Sequence, residues 1–367
     1  ADGYRGDYIM DIANDFLAKR TVQAADGDAV TATGNIDSLE DIRHFAVTYL
    51  RREQDLDLQA FGLKFDNFYL ESSLYTSGRV EAAVKTLIEN GHTYEKDGAL
   101  WLRTTELGTG DDKDRVVLRD TGEGTYFASD IAYHKQKIDR GFDRLIDIWG
   151  ADHGGYVKRM TAATQALSEQ KDMLDVKLCQ LVTLLDKGKP VKMSKRAGTF
   201  VTLRDVMETV GADVMRFIML TRRNDQTLEF DYAKVTEKSR ENPVFYVQYA
   251  HARASSVLRQ EDIRGLTEKR QPDLALLSDI HEVRLIKQLA SWPSVVRAAA
   301  LTHEPHRVAF YLIDLAALFH GLWNAGRDNS ALRFILESDA RLTRARLNLV
   351  AATALVIKTG LNLLSVR

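Results

Sequence analysis

The amino-acid sequence predicts an α/β fold, a partial doubly wound Rossmann-like domain, followed by an all-α helix bundle. A strand, loop, helix, strand, loop order between 145 and 196 indicates the first part, and nearly unbroken helical periodicity after 243 indicates the second. The chain has 367 residues, of which 45% are hydrophobic, so it can bury more than one core. Three regions are predicted: the second part of the Rossmann-like domain with a small insertion, a basic loop with connecting helices, and the bundle, over 1–185, 186–243 and 244–367.

The first region combines helices with a small β insertion. Apolar residues recur at helical spacing over 39–68 and again over 80–89, where Gly91 ends the pattern. Further along, short β-like runs at 99–102 and 115–118 are separated by turns rich in Gly and Asp. These runs predict strands of an inserted sheet.

The Rossmann-like core is predicted from two strand candidates with a helix between them. Residues 145–149 form an apolar run that ends at Gly150, and 177–185 form a second run that leads into a basic loop. Ligands of such sheets bind at the carboxyl ends of the strands, so both polar loops are expected at one edge. Thr202 and Asp205 then form a capping box for the next helix.

The last region is predicted to be helical and is the basic part of the chain. Helical patterns cover four stretches, 244–258, 274–289, 308–322 and 342–363. From Phe245 onward there are 16 Lys and Arg against 11 Asp and Glu, a net charge of +5 in a chain whose formal net charge is -2. Solvated arginines on a helical domain would give the same excess, so the charge only supports a polyanionic partner.

Cysteine usage and hydropathy indicate a cytoplasmic protein without a membrane span. Cys179 is the single cysteine, which excludes a disulfide framework and a cysteine-based zinc site within this chain. No signal-peptide pattern opens the sequence, and the apolar tail at 347–366 is interrupted by Asn348, Lys358 and Asn362. We expect no dedicated metal site.

A cationic loop carries the strongest chemical signal. Between 186 and 196 there are five Lys or Arg against one Asp. The residues at its centre are Lys192, Met193, Ser194, Lys195 and Arg196. Adenylate formation develops negative charge on the α-phosphate of ATP and on departing pyrophosphate, which positioned ammonium groups stabilise, so Lys192 and Lys195 are candidate catalytic groups. An ordinary solvated basic turn is the alternative for the pentapeptide by itself.

The pentapeptide resembles the KMSKS signature of class I aminoacyl-tRNA synthetases, with Arg196 in place of the last serine. Longer segments also resemble arginyl-tRNA synthetase, in that family's order: 125–134, 149–153, 191–202 and 242–253. Several long segments in order are more specific than one motif. The resemblance implies a class I catalytic domain with a DALR-type anticodon-binding bundle. It assigns all five loop residues to ATP, which would bind with Mg²⁺.

The family's HIGH-type element, His-x-Gly-His, is not found in this sequence. None of the nine histidines lies in that pattern, and His153-Gly-Gly is the nearest approach. The resemblance implies that the element would precede Gly3, so we expect the first half of the fold and an N-terminal tRNA-binding extension to lie outside this chain. The chain by itself is therefore expected to be inactive.

Tyr126 and Asp130 are the candidate arginine-binding residues. They stand four apart and would share one face if a helix begins near Ala128. A carboxylate accepts two hydrogen bonds from a planar guanidinium, and tyrosine offers a ring face or a hydroxyl. An Asp near a helix start is also a common cap or dipole partner. The resemblance implies arginine binding for both residues and for His134.

Two further sets are candidates for nucleotide and RNA contacts. Gly150, Asp152 and His153 follow the first strand, where backbone can approach a nucleotide and a carboxylate can accept from ribose hydroxyls. A turn-forming Asp beside a surface His is the alternative. The resemblance implies ATP contact for these residues and tRNA contact for Tyr249 and Arg253. Aromatic residues at helical spacing are, however, also common in cores.

The function that the resemblance implies is arginine-tRNA ligation by a cytoplasmic monomer. The expected partners are arginine, ATP and arginine tRNA, with no membrane. Two alternatives stay open: a nucleotidyltransferase of the same doubly wound type that acts on a small acid without RNA, and a non-catalytic RNA-binding relative of the synthetases. The long bundle has no role in the first alternative, and the missing HIGH-type element would also suit the second.

Overall fold

The computed structural model describes residues 6–25, 27–191, 201–237, 242–260 and 271–366. These residues form two compact units. The α/β unit comprises Phe65–Leu181 with Asn224–Thr227, and the helical unit comprises the described residues before Phe65, in Val182–Arg223 and from Leu228 onward. Separate hydrophobic cores fill the two units.

The helical unit begins with two helices and a two-stranded ribbon. Its first elements are α1 (Asp7–Leu17), β1 (Thr21–Val22), β2 (Val30–Thr31) and α2 (Leu39–Ala60). Ser38 caps α2 by accepting a hydrogen bond from the amide of Asp41. The sequence pattern predicted helix as far as 68, and that extent is wrong. Gly62 takes a φ of 78°, a left-handed conformation that ends the helix.

The α/β unit contains an antiparallel sheet and a parallel strand pair, both packed with helices. Its elements are α3 (Ser72–Thr76), α4 (Arg79–Glu89), β3 (Thr93–Lys96), β4 (Ala99–Leu102), β5 (Arg115–Leu118), α5 (Tyr126–Asp139), β6 (Leu145–Gly150), α6 (Val157–Ser168) and β7 (Leu174–Cys179). The antiparallel order β3-β4-β5 confirms the inserted strands, with the predicted bounds for β4 and β5. Leu87, Leu102, Ile131 and Met160 are fully buried in the core of this unit.

Strands β6 and β7 form the predicted βαβ unit, with α6 as the connection. They pair in parallel, from Leu145 opposite Leu174 to Gly150 opposite Cys179. A 3₁₀ turn, Ala151–Tyr156, follows β6 directly. The residues of this turn therefore lie at the carboxyl end of a parallel strand pair, where ligands of such sheets bind.

The second predicted strand, 177–185, is two strands in different sheets. Strand β7 ends at Cys179, and β8 (Val182–Asp186) belongs to the helical unit. There it pairs in antiparallel with β9 (Lys189–Pro190) and in parallel with β10 (Leu228–Asp231). An apolar run shows where a chain is extended, but the pairing partner depends on residues far away in sequence, so the break between the strands was missed.

Two short helices, α7 (Leu203–Val210) and α8 (Ala212–Leu220), lie between β9 and β10, and α9 (Tyr232–Thr236) leads from β10 to the bundle. The capping box predicted for α7 is confirmed. The hydroxyl of Thr202 accepts from the amide of Asp205 at 3.1 Å, and the carboxylate of Asp205 accepts from the amide of Thr202 at 2.8 Å.

Among the described residues, four long helices form the bundle: α10 (Pro243–Leu258), α11 (Ile280–Thr302), α12 (His306–Asp328) and α13 (Ala340–Leu363). The helix predicted over 274–289 begins later, because Asp279 caps it in a capping box with Glu282. Leu285, Leu312 and Phe319 are fully buried in the core of the bundle.

Among the described residues, α12 is the one helix that meets the length and composition expected of a membrane span. Half of its most apolar window is buried inside the structure, and core helices pass the same test of length and composition. The expected absence of a membrane partner stays a prediction.

Candidate functional site

The start of α5 carries the predicted arginine-binding residues. Tyr126 is the first residue of the helix, two residues earlier than the sequence suggested, and its side chain is 84% exposed. The preceding Thr125 donates from its hydroxyl to the carbonyl of Val116 at 3.0 Å, which ties the helix start to β5. Asp130 follows one turn later, so both side chains lie on one face of α5.

The carboxylate of Asp130 has a partner that the sequence analysis missed. The hydroxyl of Tyr156 donates to Asp130 Oδ2 at 2.5 Å. The ring of Tyr156 packs against Phe127 and Trp149, each with ring centroids 6.0 Å away. Burial and the hydrogen bond to the Asp130 carboxylate raise the pKa of Tyr156, so the phenol stays protonated and keeps donating.

His134, one turn after Asp130 on α5, belongs to a buried polar cluster. Its Nδ1 is 2.7 Å from the backbone carbonyl of Asp130, and its Nε2 is 2.7 Å from Asp147 Oδ2. Lys137 Nζ donates to Asp147 Oδ1 at 2.8 Å. Burial would raise the pKa of Asp147, but hydrogen bonds and positive charge from His134 and Lys137 outweigh it and lower that pKa to about 2.

Both ring nitrogens of His134 are therefore engaged within the α/β unit. The cluster holds α5 against β6 and fixes the turn of helix that carries Asp130. Direct arginine contact by His134 stays a prediction. Its two hydrogen-bonding contacts place it where it supports the turn of α5 that carries Asp130.

The predicted nucleotide residues lie at the end of β6. Gly150 ends the strand in an extended conformation, and a Cβ placed there would come within 2.4 Å of Asp152 Oδ1, so a larger residue would require the exposed Asp152 side chain to move. The side chains of Asp152 and His153 are exposed, with Nε2 and Oδ2 3.6 Å apart. Both side chains are exposed at the carboxyl end of a parallel strand pair, where ligands of such sheets bind, and ATP contact by them stays a prediction.

The five residues of the KMSKS-like pentapeptide, Lys192, Met193, Ser194, Lys195 and Arg196, lie outside the described residues. The turn that precedes them is described. Asp231 accepts hydrogen bonds from the amides of Lys187 at 3.1 Å and Gly188 at 2.8 Å. One buried carboxylate thus anchors the β8–β9 hairpin that leads toward the basic loop.

The predicted tRNA-binding residues belong to an aromatic cluster of the bundle. The guanidinium of Arg253 lies 4.2 Å from the ring centroid of Tyr249 and 4.9 Å from that of Trp323. Its Nη1 is 3.1 Å from Nδ1 of His320. Arg253 is therefore stacked between aromatic rings, while Tyr249 keeps 48% of its surface exposed.

A cavity of about 410 Å³ opens beside this cluster and is named here the bundle cavity. Its lining residues come from α10, α12 and the chain after α12: Val257, Gln260, Leu322, Trp323, Gly326, Arg327, Leu332, Arg333, Phe334 and Ile335. Aromatic faces and two arginines in one cavity suit an unpaired nucleobase with its phosphate. The sequence analysis did not identify this cavity; its tRNA candidates, Tyr249 and Arg253, belong to the neighbouring cluster.

Two family models match the chain. The model described as tRNA synthetases class I (R), catalytic domain, matches residues 9–253, and the DALR anticodon binding domain matches 247–367. The two matches overlap at 247–253, so they do not define a single boundary between the domains. The three predicted regions therefore stay predictions. The predicted architecture, a class I catalytic domain followed by an anticodon-binding helical domain, is confirmed.

Two curated relatives from different bacteria carry the same name. The chain is 54% identical over 370 residues to the arginine–tRNA ligase of Bordetella petrii, and 49% identical over 370 residues to that of Geobacter metallireducens. Each alignment covers 100% of this chain and 64% of the relative. The chain thus spans 64% of the length of these relatives.

Two solved structures resemble this chain. A candidate arginyl-tRNA synthetase from Campylobacter jejuni is 32% identical, with a TM-score of 0.80 over 99% of this chain and 75% of that one. Arginyl-tRNA synthetase from Thermus thermophilus shares the fold, with a TM-score of 0.75 at 22% identity over 89% of this chain and 63% of that one. With a catalytic-domain match over 9–253 and a structural relative covered to 75%, this chain belongs to the class I arginyl-tRNA synthetase family.

Proposed function

We propose that this chain supplies the arginine-binding and anticodon-binding parts of an arginine-tRNA ligase. In that reaction the carboxylate of arginine attacks the α-phosphorus of ATP, the bond to the bridging oxygen of pyrophosphate breaks, and arginyl adenylate forms. The 2′-hydroxyl of the terminal ribose of tRNA then attacks the carbonyl carbon, and AMP leaves. Family membership along the chain supports this reaction.

The observation that carries the proposal is the arrangement of Asp130 beside Tyr156 and Tyr126. Asp130 Oδ2 is held by the Tyr156 hydroxyl, and no described residue forms a hydrogen bond with Oδ1. A guanidinium can pair with this carboxylate through its fork of N–H donors while it lies against the exposed ring of Tyr126. A lysine ammonium lacks both the planar fork and the flat face, so the pair favours arginine.

ATP is proposed to bind at Gly150, Asp152 and His153 and at the basic residues 192–196. Lys192 and Lys195 would stabilise the charge that develops on the α-phosphate and on pyrophosphate. Among the described residues, no group of three His, Cys, Asp or Glu is arranged to hold a metal ion. Mg²⁺ is expected to bind together with the phosphates of ATP, as this ion commonly does.

The bundle cavity and the Tyr249–Arg253 cluster support a tRNA partner. Bases that are unstacked from a loop bind on aromatic rings and arginine planes, and Trp323 and Arg327 both line the cavity. Tyr249 exposes one side of its ring beside the cluster. We propose that these residues contact the anticodon loop of arginine tRNA.

A chimera tests the reaction. In it, this chain replaces the matching part of the Bordetella petrii relative, so that the remaining length of a synthetase is present. We expect arginine-dependent exchange of pyrophosphate into ATP and transfer of arginine to tRNA. A chimera that folds and binds tRNA but supports neither reaction would leave the non-catalytic, RNA-binding alternative.

A binding experiment tests the RNA partner with the chain as it is. Arginine tRNA should bind with an affinity that falls as salt rises, with a log-log slope of roughly -0.7 per phosphate contact on single-stranded RNA. Replacing the anticodon bases should weaken binding, whereas replacing stem pairs should matter little. If an unrelated tRNA competes equally at every salt concentration, the bundle is only an electrostatic platform and the proposal of anticodon contact fails.

A cytoplasmic monomer is proposed as the state of the protein. The single cysteine supports a reducing compartment. Light scattering at increasing protein concentration measures the mass in solution, and a concentration-independent dimer would contradict the monomer.

A further inference from the structure

A buried ion pair connects two helices of the bundle. Arg346 in α13 and Glu282 in α11 are 3% and 1% exposed, and Arg346 Nε donates to Glu282 Oε1 at 2.7 Å. The other oxygen of Glu282 accepts from the amide of Asp279 at 3.0 Å, which completes the start of α11. Both charges are thus fully enclosed and held in one geometry.

The guanidinium of Arg346 also holds the chain between α12 and α13. Its Nη1 donates to the carbonyls of Ala331 and Arg333, each at 2.7 Å. These carbonyls flank Leu332, and residues 332–335 line the bundle cavity. We name 331–335 the wall segment.

The wall segment is also confined from the opposite side. A Cβ placed on Gly326 of α12 would lie 3.0 Å from the carbonyl oxygen of Leu332 and 3.3 Å from the Cα of Arg333. Only a glycine lets the backbone approach α12 this closely without a shift. The segment is therefore fixed between a hydrogen-bonding arginine and a glycine surface.

Stability by itself is a weak explanation for this arrangement. Removing two charges from water is costly, and well-packed apolar side chains in place of a buried pair are often as stabilising or more so. Buried polar groups do, however, select one geometry when their donors and acceptors are satisfied. Here the three acceptors of Arg346 specify the position of the wall segment relative to α11 and α13.

We propose that Arg346 is a positioning residue for RNA recognition, because it sets the wall segment at the spacing at which the bundle cavity accepts one unstacked base. This inference rests on the proposed binding of the anticodon loop. Arg346 itself is buried. It acts through the backbone of residues 331 and 333, and the neighbouring side chains of Arg333 and Phe334 line the cavity.

Two substitutions disturb the wall segment from opposite sides. Arg346→Lys keeps a positive charge beside Glu282, but an ammonium lacks the fork that reaches the carboxylate and both carbonyls together. Gly326→Ala leaves the ion pair intact and forces the segment away from α12 by a few tenths of an ångström. Arg341→Lys is the matched control, since Arg341 lies on the same helix and forms an exposed ion pair with Asp273 at 2.7 Å.

The probes are an RNA hairpin with the anticodon loop of arginine tRNA and the same hairpin with its anticodon bases replaced. The affinity of the 367-residue chain for each is measured over a range of salt, together with the thermal midpoint. The measured quantity is the affinity for the arginine hairpin divided by the affinity for the hairpin with replaced anticodon bases. We expect Arg346→Lys and Gly326→Ala to lower this ratio about tenfold, which corresponds to the free energy of roughly one hydrogen bond. The salt slope should change by no more than about 0.7, the share of one phosphate contact, because Arg333 is the only cationic side chain that moves with the wall segment.

The outcomes separate the inference from the proposed function. If the unaltered chain binds both hairpins equally, anticodon contact fails, and the inference fails with it. If the unaltered chain discriminates and both variants discriminate equally well, anticodon contact stands, and a merely structural role of Arg346 is left. A lowered thermal midpoint with an unchanged affinity ratio likewise leaves Arg346 only a structural role, and loss of the ratio in Arg341→Lys would also contradict the assignment.

Discussion

The hydroxyl of Tyr156 donates a 2.5 Å hydrogen bond to Oδ2 of Asp130, and so joins the turn after β6 to the first turns of α5. The bond fixes one oxygen of the carboxylate and thereby the direction of the other. A planar cation that pairs with Asp130 would meet a carboxylate already oriented, which lowers the cost of ordering it on binding.

Tyr156→Phe should therefore weaken arginine binding while its ring keeps its packing against Phe127 and Trp149. A hydrogen bond to a charged group contributes about 1.5 to 3 kcal/mol, so KM for arginine in the chimera should rise about tenfold or more, with KM for ATP little changed. Tyr75→Phe is the control, because Tyr75 is an exposed tyrosine of the same unit. Equal effects of the two variants would contradict a role for the hydroxyl.

Asp130→Asn should weaken arginine binding more than Tyr156→Phe does. The amide has one acceptor oxygen and no charge, so it cannot accept the two parallel hydrogen bonds of a guanidinium. Removing one partner of a desolvated charge pair costs about 3 to 5 kcal/mol, and the loss should fall on arginine and not on ATP. Steady-state exchange kinetics of the chimera measure KM for arginine and KM for ATP. If both KM values rise equally in a folded protein, the role of Asp130 is structural.

Asp147→Asn should make the protein less stable in a pH-dependent way. The pKa of Asp147 is lowered from 3.8 to about 2 in the fold, so its ionised form stabilises the folded state. This contribution is full above the ordinary pKa and is lost as the pH falls toward 2. At pH 7 the free energy of unfolding should fall by about 2 kcal/mol.

Denaturant titrations between pH 7 and pH 2 provide the check. The difference between Asp147→Asn and the unaltered chain should shrink below about pH 4. Asp139→Asn is the control, since Asp139 pairs with Lys135 on the exposed side of α5 and should cost less than about 1 kcal/mol. A difference that stays constant with pH would mean that the charge of Asp147 is not what stabilises the cluster.

Lys195→Ala should slow arginine activation in the chimera much more than it weakens arginine binding. Removing one group that stabilises transition-state charge costs about 2 to 4 kcal/mol in the rate. Lys189→Ala, at an exposed lysine before the pentapeptide, should change the exchange rate little. Unchanged activation kinetics in Lys195→Ala would mean that the loop is an ordinary solvated turn.

The sequence by itself determined the features that depend on neighbouring residues. Periodicity located the long helices, short β-like runs between Gly- and Asp-rich turns located β4 and β5, and the capping box of Thr202 and Asp205 was found from spacing alone. Each of these signals rests on side chains within a few positions of one another, so they are visible along the linear chain. The order of several segments that resemble arginyl-tRNA synthetase was sufficient to identify the family from the sequence.

Only the tertiary structure decided which distant residues meet. Tyr156 reaches Asp130, Asp147 reaches His134, and Arg346 reaches Glu282, although none of these pairs forms a sequence motif. The apolar run at 177–185 likewise divides between two sheets. Burial makes such contacts strong because desolvated polar groups need partners, and the partner is whichever group the packed elements bring close. Local periodicity carries no information about that choice.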